Sequence, residues 1–266
     1  MITVKTLLLP SFESTVHDRP DGVIADHSPD YDLAVVIDVL RATSVMVTAL
    51  NAGAKNIITC GTIEQARDLA QRSPIRSILC GERNCKRIEG FDLGNSPSEY
   101  TRERVAGKQV ILTTSNGTRA IESMQTVSTL VIASFLNISS VVNRIASANS
   151  VCIVCAGTNG EVTAEDVLLA GAIVSRLRAQ VASLQVDDAS ELAANLWRSQ
   201  ITSKAVQDAG SESLLLANCL CNTLGGKNLL SIGYGDDLSV CSRIDLLSGV
   251  PTRSESSDNF FTFDLT

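Results

Sequence analysis

The 266-residue chain is 44% hydrophobic but only 4% aromatic, so it can fill a sizeable, mostly aliphatic core of the kind that a parallel sheet under helices presents. Its net charge of −7, with no cluster of lysines or arginines, argues against nucleic acid and anionic membranes as partners. A small anionic ligand would then depend on local positive charge, from a metal ion or a few arginines.

Residues 1–10 carry one lysine and a short apolar run rather than a signal-peptide pattern. No apolar stretch approaches the ~18 residues of a membrane span. Eight cysteines in a core-rich chain of this size read as reduced thiols of a cytoplasmic protein, not as a disulfide scaffold.

One unit recurs along the chain: a short β-branched run, a polar or glycine-rich turn, then a helical pattern. The first run is Leu33-Ala34-Val35-Val36-Ile37, followed by a turn over 38–44 and a helix closing near Gly53. The second, Asn56-Ile57-Ile58-Thr59-Cys60, leads to a helix from Thr62, where Thr62 and Gln65 make a capping box. The third, Ser77-Ile78-Leu79-Cys80, runs into Gly81-Glu82-Arg83, and the fourth, Gln109-Val110-Ile111-Leu112-Thr113, into Thr114-Ser115-Asn116-Gly117-Thr118. The fifth, Thr129-Leu130-Val131-Ile132-Ala133, precedes a polar turn with Asn137. The sixth, over 151–156, precedes Gly157-Thr158-Asn159-Gly160 and a helix over about 163–178. Residues 187–222 read as further helices, and 233–266 as irregular chain with one strand at 238–241. Strands alternating with helices imply parallel pairing and right-handed crossovers. No long linker interrupts residues 1–266, so they read as one α/β unit whose echoing segments hint at internal duplication.

In open α/β sheets ligands bind beyond the carboxyl ends of the strands. Asp38, Arg41, Glu82, Asn116, Asn159 and Glu165 all fall at such ends and are expected to converge. Asp38 reads either as a cap on its own turn or as a metal ligand or nucleophile. Arg41, Thr43 and Ser44 beside a helix start suit a phosphate cradle, with Arg41 offering a planar fork. The turn 114–119 is either a second such cradle or a simple cap with an Asn-Gly turn. Neither is a Walker P-loop. Thr163 and Asp166 resemble a helix cap, and Glu165-Asp166 equally suits Mg²⁺, which prefers carboxylate oxygens. Asp236-Asp237 after Gly-Tyr-Gly is a solvated pair or a ligand. Cys152 and Cys155 lie three apart on a strand, hence on opposite faces, which argues against a metal or redox pair. With only His17 and His27 present, a histidine-based zinc site is not expected.

Taken in order, Asp38-Val39-Leu40-Arg41-Ala42-Thr43-Ser44, Gly81-Glu82-Arg83, Gly90-Phe91-Asp92-Leu93-Gly94-Asn95-Ser96-Pro97 and Thr113-Thr114-Ser115-Asn116-Gly117-Thr118 resemble the 2-phosphosulfolactate phosphatase family. Cys155-Ala156-Gly157, Glu165-Asp166, Ala170-Gly171, Asp237 and Val250-Pro251 extend the match over most of the chain. The resemblance implies a three-layer α/β/α fold with a largely parallel sheet and two related, intertwined halves. It implies Mg²⁺-dependent hydrolysis of 2-phospho-3-sulfolactate to 3-sulfolactate and phosphate, a step of coenzyme M biosynthesis, by a cytoplasmic enzyme; a homodimer is the expected assembly. Carried onto this sequence, the catalytic set is Asp38, Arg41, Glu82, Asn116 and Cys155. The substrate-binding set is Thr43, Ser44, Arg83, Asn95, Ser96, Thr114, Gly117, Thr118 and Asn159, and the metal ligands are Asp38, Glu165, Asp166 and Asp237. Asn84-Cys85-Lys86-Arg87-Ile88 replaces a glycine-rich stretch, and Ala164 stands where the family has leucine.

Phosphate monoester hydrolysis needs accelerations of up to ~10²¹-fold, and one oxyanion donor supplies only about 10²–10³. A cation acting with several donors is therefore expected. Cys155 has no arginine six residues on, where Glu161 stands, and a soft thiolate is a poor Mg²⁺ ligand. It is expected to line the site without forming a phosphocysteine. Two other readings stand beside this one. A haloacid-dehalogenase-like phosphatase would use Asp38 as nucleophile but has a second Asp where Leu40 stands. The other is a non-catalytic protein that binds a phosphorylated metabolite.

Overall fold

The computed structural model describes residues 1–11, 31–208, 211–257 and 260–266. Both histidines, His17 and His27, lie outside these residues.

β1 (Ile2–Leu7) buries Ile2, Val4 and Thr6 and turns Thr3 and Lys5 outward, the period-2 pattern of a strand with one covered face. β2 (Leu33–Ile37) is buried along its whole length and leads into α1 (Ala42–Asn51). β3 (Asn56–Thr59) precedes α2 (Ile63–Arg72), which opens on the expected Thr62–Gln65 capping box. β4 (Ser77–Arg83) runs on through Gly81-Glu82-Arg83 and turns at Asn84 and Cys85, both at positive φ, into the short β5 (Lys86–Arg87). Then come α3 (Arg102–Val105), β6 (Gln109–Thr113), α4 (Gly117–Glu122), β7 (Thr129–Ala133), α5 (Ile138–Ile145) and β8 (Ser150–Cys155). α6 (Ala164–Gln180), β9 (Leu184–Val186) and α7 (Asp188–Trp197) follow, and α7 continues through a π-helical segment, Arg198–Thr202, into α8 (Ser203–Asp208). α9 (Glu212–Asn222), α10 (Leu224–Ser231) and α11 (Gly235–Cys241) complete the helices, and β10 (Pro251–Ser257) and β11 (Phe260–Leu265) end the chain.

Two expectations are corrected here. Residues 238–241 are helical, because α11 starts with Asp236 and Asp237 in its first turn and buries Leu238 and Cys241 three residues apart on one face. The tail is not irregular: β10 and β11 form an antiparallel hairpin in the middle of the sheet.

The 11-stranded sheet runs β5-β4-β6-β3-β11-β10-β7-β2-β8-β1-β9. Strands β7-β2-β8-β1-β9 pair in parallel, as do β4-β6-β3. The hairpin joins the two blocks through antiparallel pairs, and its contact with β7 is a single register pair, Thr252↔Val131. The chain begins in the first block, crosses to the second for β3–β6, and returns for β7–β9.

Adjacent residues of each strand face different cores, as strand geometry requires. Val36, Leu130 and Cys152 of one block pack with Ile57, Ile78 and Val110 of the other, around Val45 and Met46 of α1 and Ala120 and Ile121 of α4. α1 and α4 therefore lie between the blocks. On the outer face of the larger block, Val35, Ile37, Val131 and Ile153 pack against helices α5, α6, α7 and α9. On the outer face of the smaller, Ile58 and Ile111 meet Ala66 of α2. Each block is thus a helix–sheet–helix stack with a shared inner layer. No helix among the described residues is long and apolar enough to cross a membrane.

Candidate active site

The carboxyl ends of β2, β4, β6 and β8 and the helix α10 surround a cleft of ≈ 260 Å³. Its wall includes Asp38, Arg41, Glu82, Asn116 and Asn159, five of the six residues expected to converge, together with Asn95; Glu165, the sixth, and the expected metal ligands Asp166 and Asp237 do not line it. Leu40, Cys85, Asn228 and Leu229 complete much of the rest. A larger groove of ≈ 390 Å³ between α6, α7 and α9 is lined by Leu168, Leu196 and Leu215 and holds no carboxylate, so it lacks the groups this chemistry needs.

Asp38 follows the last residue of β2. Its Oδ1 accepts the Ala42 N–H at 3.2 Å, so it does cap its own turn. Its Oδ2 lies against Gly117, where a Cβ would come within 2.8 Å. That approach brings the start of α4 onto α1, and only glycine leaves room for it. Burial pushes the Asp38 carboxyl up to about 7; the Ala42 N–H opposes this, and Glu82 and Glu165 reinforce it. Asp166 ties two strand-end turns together. Its Oδ1 accepts Val39 N–H at 2.9 Å and its Oδ2 accepts Gly157 N–H at 3.0 Å. Burial, with Asp38 and Glu165 nearby, holds its carboxyl well above the usual range. Glu165 is also raised by burial, and its Oε2 is a buried oxygen with no hydrogen-bond partner. Gly225 allows the approach of α10 to it, since a Cβ there would stand 2.0 Å from Oε1. Glu82 accepts Ser115 N–H and Cys85 N–H, each at 2.8 Å, and so joins the β4–β5 turn to the β6–α4 turn. The Asn159 N–H donates to Asn116 Oδ1 at 3.2 Å, linking the β6 and β8 turns in the same way.

Several expected binding residues are spent on the fold. Thr43 and Ser44 are fully buried, and their hydroxyls donate to the carbonyls of Asp38 and Val39. Thr114 and Thr118 are buried and bond each other. Arg83 does not line the cleft and fastens β4 to Thr113 and to the Gly61 carbonyl. Cys155 does not line the cleft: it is fully buried in the apolar cluster, and burial with nearby Asp166 holds its thiol well above the usual range. Arg41 lines the cleft but is partly engaged. Its NH1 donates to Asp237 Oδ2 at 2.6 Å, its NH2 to the Cys85 carbonyl at 3.1 Å, and its guanidinium lies 4.4 Å from the Tyr234 ring centre. Ser96 Oγ donates to the other Asp237 oxygen at 2.6 Å. Tyr234, Asn228 and Gly225 carried no sequence signal beyond a Gly-Tyr-Gly turn and a Gly-Gly pair.

The donor set suits a hard cation. Asp38, Glu165 and the unpartnered Asn95 Oδ1 are oxygen donors, and Mg²⁺ typically takes only one or two carboxylates, filling its other positions with water and phosphate. Among the described residues no group of three or more acidic, cysteine or histidine side chains is arranged to hold a metal ion by itself.

A model of the 2-phosphosulpholactate phosphatase family matches residues 18–256. The chain belongs to this family. Relatives include a "Probable 2-phosphosulfolactate phosphatase" of Thermotoga petrophila, 41% identical over 234 residues that cover 87% of this chain and 94% of that protein. Its counterpart in Thermotoga maritima is 40% identical, covering 87% and 93%, and that of Clostridium acetobutylicum is 36% identical, covering 82% and 88%. The 2-phosphosulpholactate phosphatases are phosphoric monoester hydrolases.

Proposed function

We propose that the chain is a Mg²⁺-dependent phosphatase that hydrolyses 2-phospho-3-sulfolactate to 3-sulfolactate and phosphate, as in coenzyme M biosynthesis. The observation that carries this reading is the charge balance of the cleft. Asp38 and Glu82 stand on its wall, Glu165 lies close enough to help raise the Asp38 carboxyl, and the one cation on its described wall, Arg41, is already paired with Asp237. An anionic ester would be repelled from such a cleft unless a divalent cation came with it.

Asp38 and Glu165, with Asn95 Oδ1, are the groups that would hold Mg²⁺, which when bound neutralises phosphate charge and lowers the pKa of a coordinated water. The chain's own residues do the rest. Asn116 keeps its amide N–H₂ for phosphate oxygens while its carbonyl oxygen is fixed by Asn159. Glu82 holds the two turns that frame the phosphate. Leu40 and Leu229 add apolar surface to the cleft wall. Water adds to phosphorus as the bond between phosphorus and the ester oxygen breaks, and one proton of that water ends on the leaving oxygen. The eight free thiols support a reducing, cytoplasmic location.

The test is a comparison of kcat/KM for 2-phospho-3-sulfolactate with 2-phospholactate, which lacks the sulfonate, and 3-phosphoglycerate. The sulfonate ester should lead by at least ~10-fold, about 1.4 kcal/mol of discrimination. Equal values would refute the substrate, and no phosphate release from any of them would refute the enzyme.

A further inference from the structure

Arg41 has its charge cancelled by Asp237, with both side chains 2% exposed. A buried ion pair seldom stabilises a fold beyond what packed apolar groups would give, because both charges lose their water. This pair is held on every side. Tyr234 and Asp237 stand three residues apart at the start of α11, so ring and carboxylate face the same way. The ring covers one face of the guanidinium and the carboxylate takes NH1. Ser96 Oγ locks the second carboxylate oxygen, and the Cys85 carbonyl takes NH2. A guanidinium has five N–H donors, and these bonds use two of them. Arg41 nevertheless lines the cleft.

We infer that Tyr234, Asp237 and Ser96 form a clamp that aims the remaining Arg41 donors into the cleft as a fixed fork for a tetrahedral oxyanion, and that Asp237 is the counter-ion of Arg41 rather than a ligand of the metal. These three are positioning residues: none touches the substrate. The inference rests on the phosphatase reading of the cleft for its ligand, but on the clamp's own geometry for its mechanism. Both oxygens of Asp237 are engaged by donors, whereas Glu165 Oε2 and Asn95 Oδ1 are not.

The test uses full-length protein and two probes. Mn²⁺, standing in for Mg²⁺, is titrated by electron paramagnetic resonance, and inorganic phosphate by calorimetry in the presence of Mg²⁺. Tyr234→Leu should weaken phosphate binding about tenfold, and Tyr234→Phe, which keeps the ring, should restore it to within about twofold. Asp237→Asn should weaken phosphate binding while leaving the Mn²⁺ affinity within about twofold, because an arginine's counter-ion is no metal ligand. Circular dichroism melts establish that each variant is folded. Wild-type phosphate affinity in Tyr234→Leu, or an equal loss in the phenylalanine variant, would overturn the clamp. A tenfold or greater loss of Mn²⁺ affinity in folded Asp237→Asn would overturn the counter-ion role. KM of Tyr234→Leu should rise for 2-phospho-3-sulfolactate and for 2-phospholactate alike; a rise for the sulfonate ester alone would overturn a fork for the phosphate. Phosphate binding that responds as stated in a protein without turnover would leave the clamp standing and the phosphatase reading refuted.

Discussion

Gly117→Ala tests the close approach that builds the site. A Cβ at this position would lie 2.6 Å from Ala42 Cβ, 2.8 Å from Asp38 Oδ2 and 3.3 Å from Thr114 Oγ1. Carbon atoms pack at about 3.5–4.0 Å, so the starts of α1 and α4 must part by ~1 Å or Asp38 must turn. Overpacking of this kind costs about 1–3 kcal/mol, against roughly 0.4–1 kcal/mol gained by replacing glycine. The net expectation is a loss of ~1–2 kcal/mol in urea denaturation. A shift of ~1 Å at a reacting group costs on the order of 10²-fold, so kcat/KM for the phosphoester should fall by about that factor. Adding Ala42→Gly removes the shortest contact and leaves the one to Asp38. The double variant should therefore regain stability beyond additivity by ~1 kcal/mol but recover little activity. Wild-type stability together with wild-type kcat/KM in Gly117→Ala would refute the argument.

Cys155→Ser places a hydroxyl in an apolar cluster and should cost about 1–3 kcal/mol of stability, while kcat/KM stays within ~3-fold; a collapse of kcat at unchanged stability would point to thiol chemistry instead. Asp245 is opposed by burial, but the Ser139 N–H, Arg176 and the Ser139 hydroxyl outweigh it and hold the carboxyl below its usual value. Its contribution is therefore present above about pH 4 and is lost as pH falls through the folded value. Asp245→Asn should flatten the acid decline of the unfolding free energy by less than ~1 kcal/mol, since the pair is partly exposed, and an unchanged acid profile would contradict this.

The parallel strands were readable because β2, β6 and β8 are continuous buried aliphatic runs flanked by turn residues. β10 was not: Pro251-Thr252-Arg253-Ser254-Glu255-Ser256-Ser257 is polar and largely exposed, and its place depends on pairing with the distant β7 and β11. Strand-end position predicted the convergence of Asp38, Glu82, Asn116 and Asn159, because topology alone brings those ends together. It could not separate donors that face the cleft from those that bond the backbone. Thr43 and Ser44 look like a phosphate cradle in sequence, yet their hydroxyls turn to the carbonyls of Asp38 and Val39. Asp237 resembled a metal ligand because a lone acid after a glycine turn does not reveal that an arginine 196 residues earlier in the chain will claim it.

The most direct test of the central claim is phosphate release from 2-phospho-3-sulfolactate by protein dialysed exhaustively against EDTA, before and after Mg²⁺ is added back, for the wild type and for Asp38→Asn. The account predicts no turnover without metal, full recovery with Mg²⁺ in the wild type, and at least a ~10²-fold lower recovered rate in Asp38→Asn. Full turnover by the EDTA-treated wild type, or wild-type recovery in Asp38→Asn, would contradict it.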